Sequence, residues 1–227
     1  KKLVGKIETL SIPIKKQQYF KAFLLDDSGK VCGGIFREGY EHLDPQKGKD
    51  IYVKAIKGII LATGGFASDI PFREQQDSRL TNQIDTTNKP FATAEALIES
   101  VRIGADTVDM NYIQLGPWAC PDEKGYGVGP IFSEYIVFQY GMIIDPDTGK
   151  RFVNELADRK VLSDVMLSIG HPCIGIADAE AVKYSGWDIE KCLKKGIVLP
   201  FDSIEELAKH YNIKEEAFNT TISTFNK

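Results

Sequence analysis

Ile59-Ile60-Leu61-Ala62-Thr63-Gly64-Gly65-Phe66 is the stretch on which the fold turns. An unbroken apolar run of this length reads as a buried strand. It feeds a Thr-Gly-Gly turn that lacks side-chain bulk, and two glycines let the backbone come close to another group. In open α/β sheets, ligands sit outside the carboxyl ends of strands. The stretch therefore points to a nucleotide-type cofactor, while the same residues also suit a tight turn with no ligand.

Upstream of it, residues 1–66 read as β-rich. Tyr19 to Leu25 is one strand, Asp26-Asp27-Ser28-Gly29-Lys30 a turn, and Val31 to Phe36 the return strand. Asp50 to Ile56 alternates and leads into the apolar run, so the whole is a β-meander ending in a buried strand. Downstream, residues 67–91 are polar, with room for one short helix. Thr93 to Val101 reads as a helix with Ala94, Leu97, Ile98 and Val101 on one face, capped by Gly104. Residues 106–135 are rich in glycine, proline and aromatics, and a loop of that length is usually functional or a linker.

The second half carries a hairpin signal, Gly141 to Ile144, then Asp145-Pro146-Asp147-Thr148-Gly149, then Lys150 to Val153. Residues 155–169 read as a helix ended by Gly170. Ser203-Ile204-Glu205-Glu206 has capping-box spacing and opens a helix through His210, and residues 214–226 form another.

Composition excludes several classes. The net charge of −4 argues against a nucleic-acid or anionic-membrane partner. No apolar run approaches the length of a membrane span. Cys32, Cys120, Cys173 and Cys192 form no C-x-x-C pair, so a zinc site is not expected, and His42, His171 and His210 fit no triad spacing. The chain begins Lys1-Lys2-Leu3 without an initiator Met, so its compartment is not legible there.

Three groups have chemical potential: Thr63-Gly64-Gly65, Ser133-Glu134 and Arg159. Each has a plain alternative. A hydroxyl followed by an early Glu suits a helix start, and Arg159 suits a solvated surface charge. On pattern alone the chain is a cofactor-binding α/β protein, with enzyme activity one option.

Together these pieces resemble the flavoprotein subunit of the fumarate reductase, succinate dehydrogenase and flavocytochrome c family, from about Lys54 to Lys227. Ala62 to Phe66 is similar to the family's strand-end signature against FAD. Thr87-Asn88-Lys89-Pro90 with Ala92-Thr93-Ala94-Glu95-Ala96 resembles T-N-H-P-G-A-T-G-D-G, which puts Glu95 at an acidic position near FAD. Asp109 to Gln114 resembles the segment that leads into the substrate cap, and Ser133-Glu134 stands where the family has Thr-Glu at the substrate. Gly149-Lys150-Arg151-Phe152-Val153-Asn154-Glu155 followed by Arg159 is the most specific match, and the resemblance makes Arg159 the proton donor.

The resemblance implies an α+β architecture: the C-terminal part of a Rossmann-like FAD domain (1–110) joined to an α+β capping domain (111–227). It implies FAD as cofactor and hydride transfer from FAD N5 to the C=C bond of an α,β-unsaturated carboxylate. It further implies substrate contacts from Ser133 and Glu134, and FAD contacts from Thr63, Gly64, Gly65 and Glu95. A haem, FMN or iron–sulfur domain or subunit would deliver electrons, in the periplasm or at the cell surface, with cytoplasm open. No G-x-G-x-x-G opens a βαβ unit, so the chain is expected to be an interior piece that binds FAD weakly or not at all by itself and is inactive alone. An oxidase or dehydrogenase on the same fold, and a non-catalytic cap, are the other readings.

Departures from the family pattern shape the expectation. The family's I-Q-x-H-P, whose His binds a substrate carboxylate, reads Ile113-Gln114-Leu115-Gly116-Pro117. A relay arginine expected after Glu134 is replaced in a region holding Val137 and Phe138, and that loop is about one residue longer. Gly116 beside Trp118 and Tyr126 leads us to expect room for a larger or less charged acid, such as a urocanate-like or aryl-substituted enoate.

Overall fold

The computed structural model describes residues 2–123 and 127–227, and the chain divides into two compact units. The first comprises Lys1–Thr81 with Lys89–Met110, the second Asn82–Asn88 with Asn111–Lys227. Both mix helices and strands.

In the first unit, α1 (Lys2–Thr9) precedes an antiparallel sheet of β1 (Gln18–Leu25), β2 (Val31–Glu38) and β3 (Lys49–Lys54), in that order. The Asp26 carboxylate sets the first turn by accepting from the backbone N–H of Ser28 and Lys30, at 2.9 and 3.0 Å. Those bonds, with one from the Ser28 hydroxyl, hold its carboxyl below the usual carboxylate range. Phe20 packs edge-on against Phe23 and Phe36. The opening residues depart from the β-rich expectation, because α1 forms there with none of its residues buried.

The apolar run 59–66 also departs from expectation. It forms no strand, and Ile60 is 93 % exposed. The ladder of β3 stops at Lys54, with Ala55 N–H on the Cys32 carbonyl as its last rung, and Gly58 turns the chain away at φ +148°. Among the described residues no strand runs beside the segment, and an extended backbone without a ladder partner gains no β structure. The expected buried strand is thus replaced by an exposed apolar segment.

α2 (Ile70–Gln76) and α3 (Glu95–Arg102) complete this unit. α3 ends in a Schellman arrangement, Ala105 N–H on Ser100 O and Gly104 N–H on Val101 O. Its buried face differs from the sequence reading: Ala94, Ala96 and Ser100 are buried, while Ile98 and Val101 are about half exposed. α3 lies against β1, and small residues permit that close approach.

The second unit holds a continuous helical run, α4 (Gly129–Phe132), a π-helical turn (Ser133–Val137) and α5 (Phe138–Tyr140). Next come β4 (Met142–Asp145), β5 (Lys150–Arg151), α6 (Arg159–Ile169), β6 (Ile174–Ile176), α7 (Ala179–Ser185), α8 (Glu190–Lys194), α9 (Ile204–His210) and α10 (Glu215–Phe225). The strands pair antiparallel in the order β5-β4-β6. Strand alternation splits the apolar residues of β4 between two cores. Met142 and Ile144 join Ala208, Ile213 and Phe218 of the α9–α10 layer. Ile143 joins Val137, Phe138 and Leu162.

Ser203 caps α9 as expected, accepting from Glu206 N–H. α6 starts at Arg159, not at 155, because Asp158 is its cap and accepts from Lys160 N–H at 2.8 Å. Leu156, read as part of an apolar helical face, is 69 % exposed in the preceding loop.

Candidate active site

Arg159 is the first residue of α6, and three neighbours in the second unit define its surroundings. Its guanidinium lies over the Trp118 ring, 4.5 Å from the centroid, a cation–π geometry. Its Nη2 stands 3.6 Å from Glu134 Oε1. The Ser133 hydroxyl donates to the Trp118 carbonyl at 2.7 Å, with the Gly129 carbonyl 3.1 Å away. Ser133, Glu134 and Arg159 therefore converge, and Trp118 links them. Arg159 is no free surface charge: one face is covered by indole, yet half of its side chain stays open to solvent.

Ser133 and Glu134 do not start a helix; they sit inside the helical run. Phe138 N–H bonds to Ser133 O, five residues back, which makes the π turn. Such a turn absorbs one extra residue in a helix, where the resemblance indicates one. It keeps Ile136 and Val137 fully buried and leaves Ser133 and Glu134 part-exposed. Val137 and Phe138, at the place of the expected relay arginine, belong to the core.

Gly116 does not open the site as expected. A Cβ built on it would lie 3.1 Å from Trp118 Cε2 and Cζ2, so the indole fills the space beside it. Tyr126, the other aromatic of that expectation, lies outside the described residues.

Glu155 closes the Gly149-to-Glu155 pattern, and its partners are brought to it by the fold. It is 4 % exposed and accepts from Ile143 N–H at 2.7 Å. It also accepts from Arg151 Nε at 3.0 Å and Nη2 at 2.6 Å. The bond to Glu155 lifts the Arg151 guanidinium further above its usual value, and Arg151 also lies over the Phe225 ring at 5.3 Å. This clasp fixes the loop between β5 and α6, and so the place where Arg159 leaves the backbone.

The candidate cofactor residues lie in the first unit. Thr63, Gly64 and Gly65 are exposed. Gly64 has φ +81°, a conformation that favours glycine, and a Cβ on Gly65 would meet nothing within 4 Å. No packing within the described residues demands that second glycine. Glu95 opens α3, and the Thr93 hydroxyl donates to its carboxylate. Burial, aided by the Glu95 charge, raises the Tyr19 phenol.

Asp69 escaped the sequence reading and ties these parts together. One carboxylate oxygen caps α2 through Phe72 N–H at 3.1 Å, and the other accepts from Ala94 N–H at the start of α3, also at 3.1 Å. Ser68 N–H adds a bond to Ala92 O. Arg73, 5 % exposed, reaches the carbonyls of Ala67, Leu80 and Thr81. The segment after the Gly-Gly turn and the segment before Glu95 are thus one braced piece. An open Gly-Gly backbone and an acidic acceptor suit the phosphate and hydroxyl groups of a dinucleotide.

All four cysteines are free thiols, and Cys173 is pushed up to about 11 by burial and by Asp145. His171 Nε2 lies 3.4 Å from both Asp145 and Asp147 in the hairpin turn. Among the described residues no helix is long and apolar enough to cross a membrane.

Residues 2–227 match the family model described as FAD binding domain. The chain belongs to that family, and FAD is its cofactor. It is 40 % identical over 230 residues to the acrylate reductase flavoprotein subunit of Shewanella woodyi, a match covering 99 % of this chain and 45 % of that protein. It is 30 % identical over 204 residues to a fumarate reductase (cytochrome) of Shewanella frigidimarina, covering 89 % of this chain and 33 % of the relative. In fold it is similar to the open conformation of a flavocytochrome c3 fumarate reductase, with TM-score 0.71, 20 % identity and coverage of 99 % of this chain and 37 % of that one. The chain spans less than half the length of these relatives.

Proposed function

We propose that the protein containing this chain reduces the C=C bond of an α,β-unsaturated carboxylate. Reductases of acrylate and fumarate among its relatives support this reading. The observation that carries it is the Arg159 guanidinium, held by indole on one side and by Glu134 at 3.6 Å, and half open to solvent. FAD, when bound, supplies hydride equivalents for one alkene carbon; Gly64, Gly65 and Glu95 would hold it, with Thr63 beside them.

Arg159 takes two parts in this scheme; a bidentate grip on the substrate carboxylate is the alternative to the second, because a carboxylate held on the fork points its alkene carbons away from the guanidinium. Its charge stabilises the enolate that develops as the alkene carbon accepts hydride. It then gives a proton to the neighbouring carbon. An arginine has a pKa above about 12 and is a weak acid in water, so this last part requires exclusion of water and a donor held in line. Glu134, part-exposed and 3.6 Å from the guanidinium, takes a proton from solvent and passes it to Arg159, and it holds the guanidinium's orientation. Ser133 commits its hydroxyl to the Trp118 carbonyl and so positions the aromatic support. The product is the saturated acid, and the protein would draw its electrons from a donor domain or subunit.

The test is a substrate screen with FAD-loaded, pre-reduced protein under anaerobic conditions. Enoates are expected to restore the oxidised flavin spectrum and yield saturated acids. Reoxidation by none of them, alongside reduction of the oxidised flavin by an amino acid or a ketosteroid, would replace this reading with that of a dehydrogenase.

A further inference from the structure

We propose that Glu123 is a positioning residue for the reaction: it fixes the Trp118 loop to the start of the helical run, and so sets where Arg159 stands against Glu134. The inference rests on the enoate-reductase reading above and adds to it a residue that acts through Trp118 and that run.

A carboxylate with little access to water is costly unless its oxygens are bonded, and the Glu123 side chain is only 8 % exposed. Its bonds go to backbone. Oε1 accepts from Val128 N–H at 2.8 Å and Oε2 from Gly129 N–H at 2.5 Å. Gly129 opens α4, so the carboxylate satisfies amides that no carbonyl of the run can reach. Lys195 Nζ lies 3.6 Å from Oε1, and the Cys192 thiol donates to the Val128 carbonyl at 3.4 Å. Both the N–H and the carbonyl of Val128 are thus taken. The glycines on either side of Val128 leave the room this needs. A Cβ on Gly127 would run into the Glu123 carboxylate, and one on Gly129 would lie 3.0 Å from Oε2.

The two joined pieces carry opposite sides of the site. The loop that ends in Glu123 begins at Trp118, whose indole lies against the Arg159 guanidinium at 4.5 Å. The run that begins at Gly129 carries Ser133 and Glu134, and Glu134 stands 3.6 Å from the same guanidinium. Ser133 ties the pieces at the near end, through its bond to Trp118 O. Glu123 ties them at the far end. Arg159 is therefore held between a ring from one piece and a carboxylate from the other. A slip between the pieces turns the guanidinium, and a misplacement of about 1 Å can cost on the order of 10²-fold in rate.

The test is single-turnover reoxidation of the FAD-loaded, pre-reduced full-length protein by saturating acrylate or fumarate. Glu123→Ala should lower the rate about 10- to 100-fold. Its flavin content should be unchanged, since the candidate FAD contacts lie in the first unit. Glu123→Gln keeps an acceptor for one of the two amides and should lose only about 3- to 10-fold. A residue that acts through Arg159 loses its effect once Arg159 is gone, because groups that work as a unit do not add. In an Arg159→Ala background, Glu123→Ala should therefore change the rate by less than about 2-fold. A purely structural role would slow both backgrounds alike. Glu123→Gln serves in the same comparison if Glu123→Ala fails to fold. Wild-type rates in both variants, or the same fold loss with and without Arg159, overturn the role of Glu123 and leave the enoate reading standing. Reoxidation of the wild type by neither acid overturns both.

Discussion

Replacing Glu155 by alanine should destabilise the second unit by about 3 kcal/mol. The Ile143 amide is the first loss: the residue is 3 % exposed, and its N–H bonds to Glu155 at 2.7 Å, so the substitution removes the acceptor of a buried donor. A buried donor left unsatisfied costs roughly 1–3 kcal/mol. Arg151 is the second. Its side chain is about a third exposed and keeps Phe225 beneath it, so it re-solvates in part. That loss is nearer to ~1 kcal/mol than to the larger cost of breaking a fully buried pair. Glu155→Gln keeps an acceptor for Ile143 and should cost about 1 kcal/mol. Trp118 and Trp187 both belong to the second unit, so tryptophan fluorescence in urea reports its unfolding. With a slope of roughly 2 kcal/mol per molar urea, Glu155→Ala moves the midpoint down by about 1.5 M. A shift under ~0.5 M for Glu155→Ala would refute the clasp. Equal shifts for Ala and Gln would refute the claim that the Ile143 amide dominates.

Further outcomes follow from the same contacts. Asp69→Ala removes the α2 cap and the tie to Ala94, at a cost of about 1–2 kcal/mol, and a flavin titration of the holoprotein should show weaker FAD binding. Cys173 should resist alkylation at pH 8 and react as pH approaches 11, which timed iodoacetamide labelling with peptide mass mapping checks. The raised value favours the neutral thiol in the folded chain over an unfolded thiol near 9, so the associated stability is intact below that pH and is lost as pH climbs to about 11. Urea midpoints that rise over that window for wild type relative to Cys173→Ser contradict this sign.

The parts legible in the sequence are those whose causes are local. The hairpin around Asp26–Lys30 and that around Asp145–Gly149 are set by turn chemistry within five residues, and Ser203 caps α9 through its immediate neighbours. The misreadings share a different cause. The run 59–66 has the composition of a buried strand, but burial needs a neighbour, which composition does not supply. α3 presents Ala96 and Ser100 to the sheet because close packing outweighed the larger apolar surface of Ile98 and Val101. At the site, the pattern alone singles out Ser133-Glu134 and Arg159 but leaves each with a plain structural alternative, and the resemblance supplies their roles. Trp118 is legible in the sequence as an aromatic beside Gly116, but its contact with Arg159 is not, since cation–π contact between distant residues leaves no spacing signal. Glu155 and Asp69 escaped for the same reason: each acts on a backbone amide far along the chain.

Single-turnover reoxidation of the reduced holoprotein by acrylate, comparing wild type with Arg159→Ala, bears most directly on the chemistry. Flavin content and spectrum should be the same in both, because Arg159 lies outside the candidate FAD contacts. The variant should reoxidise about 10²- to 10⁴-fold more slowly, the range for loss of a positioned proton donor. Equal rates for the two proteins would contradict the assignment of Arg159 to the reaction.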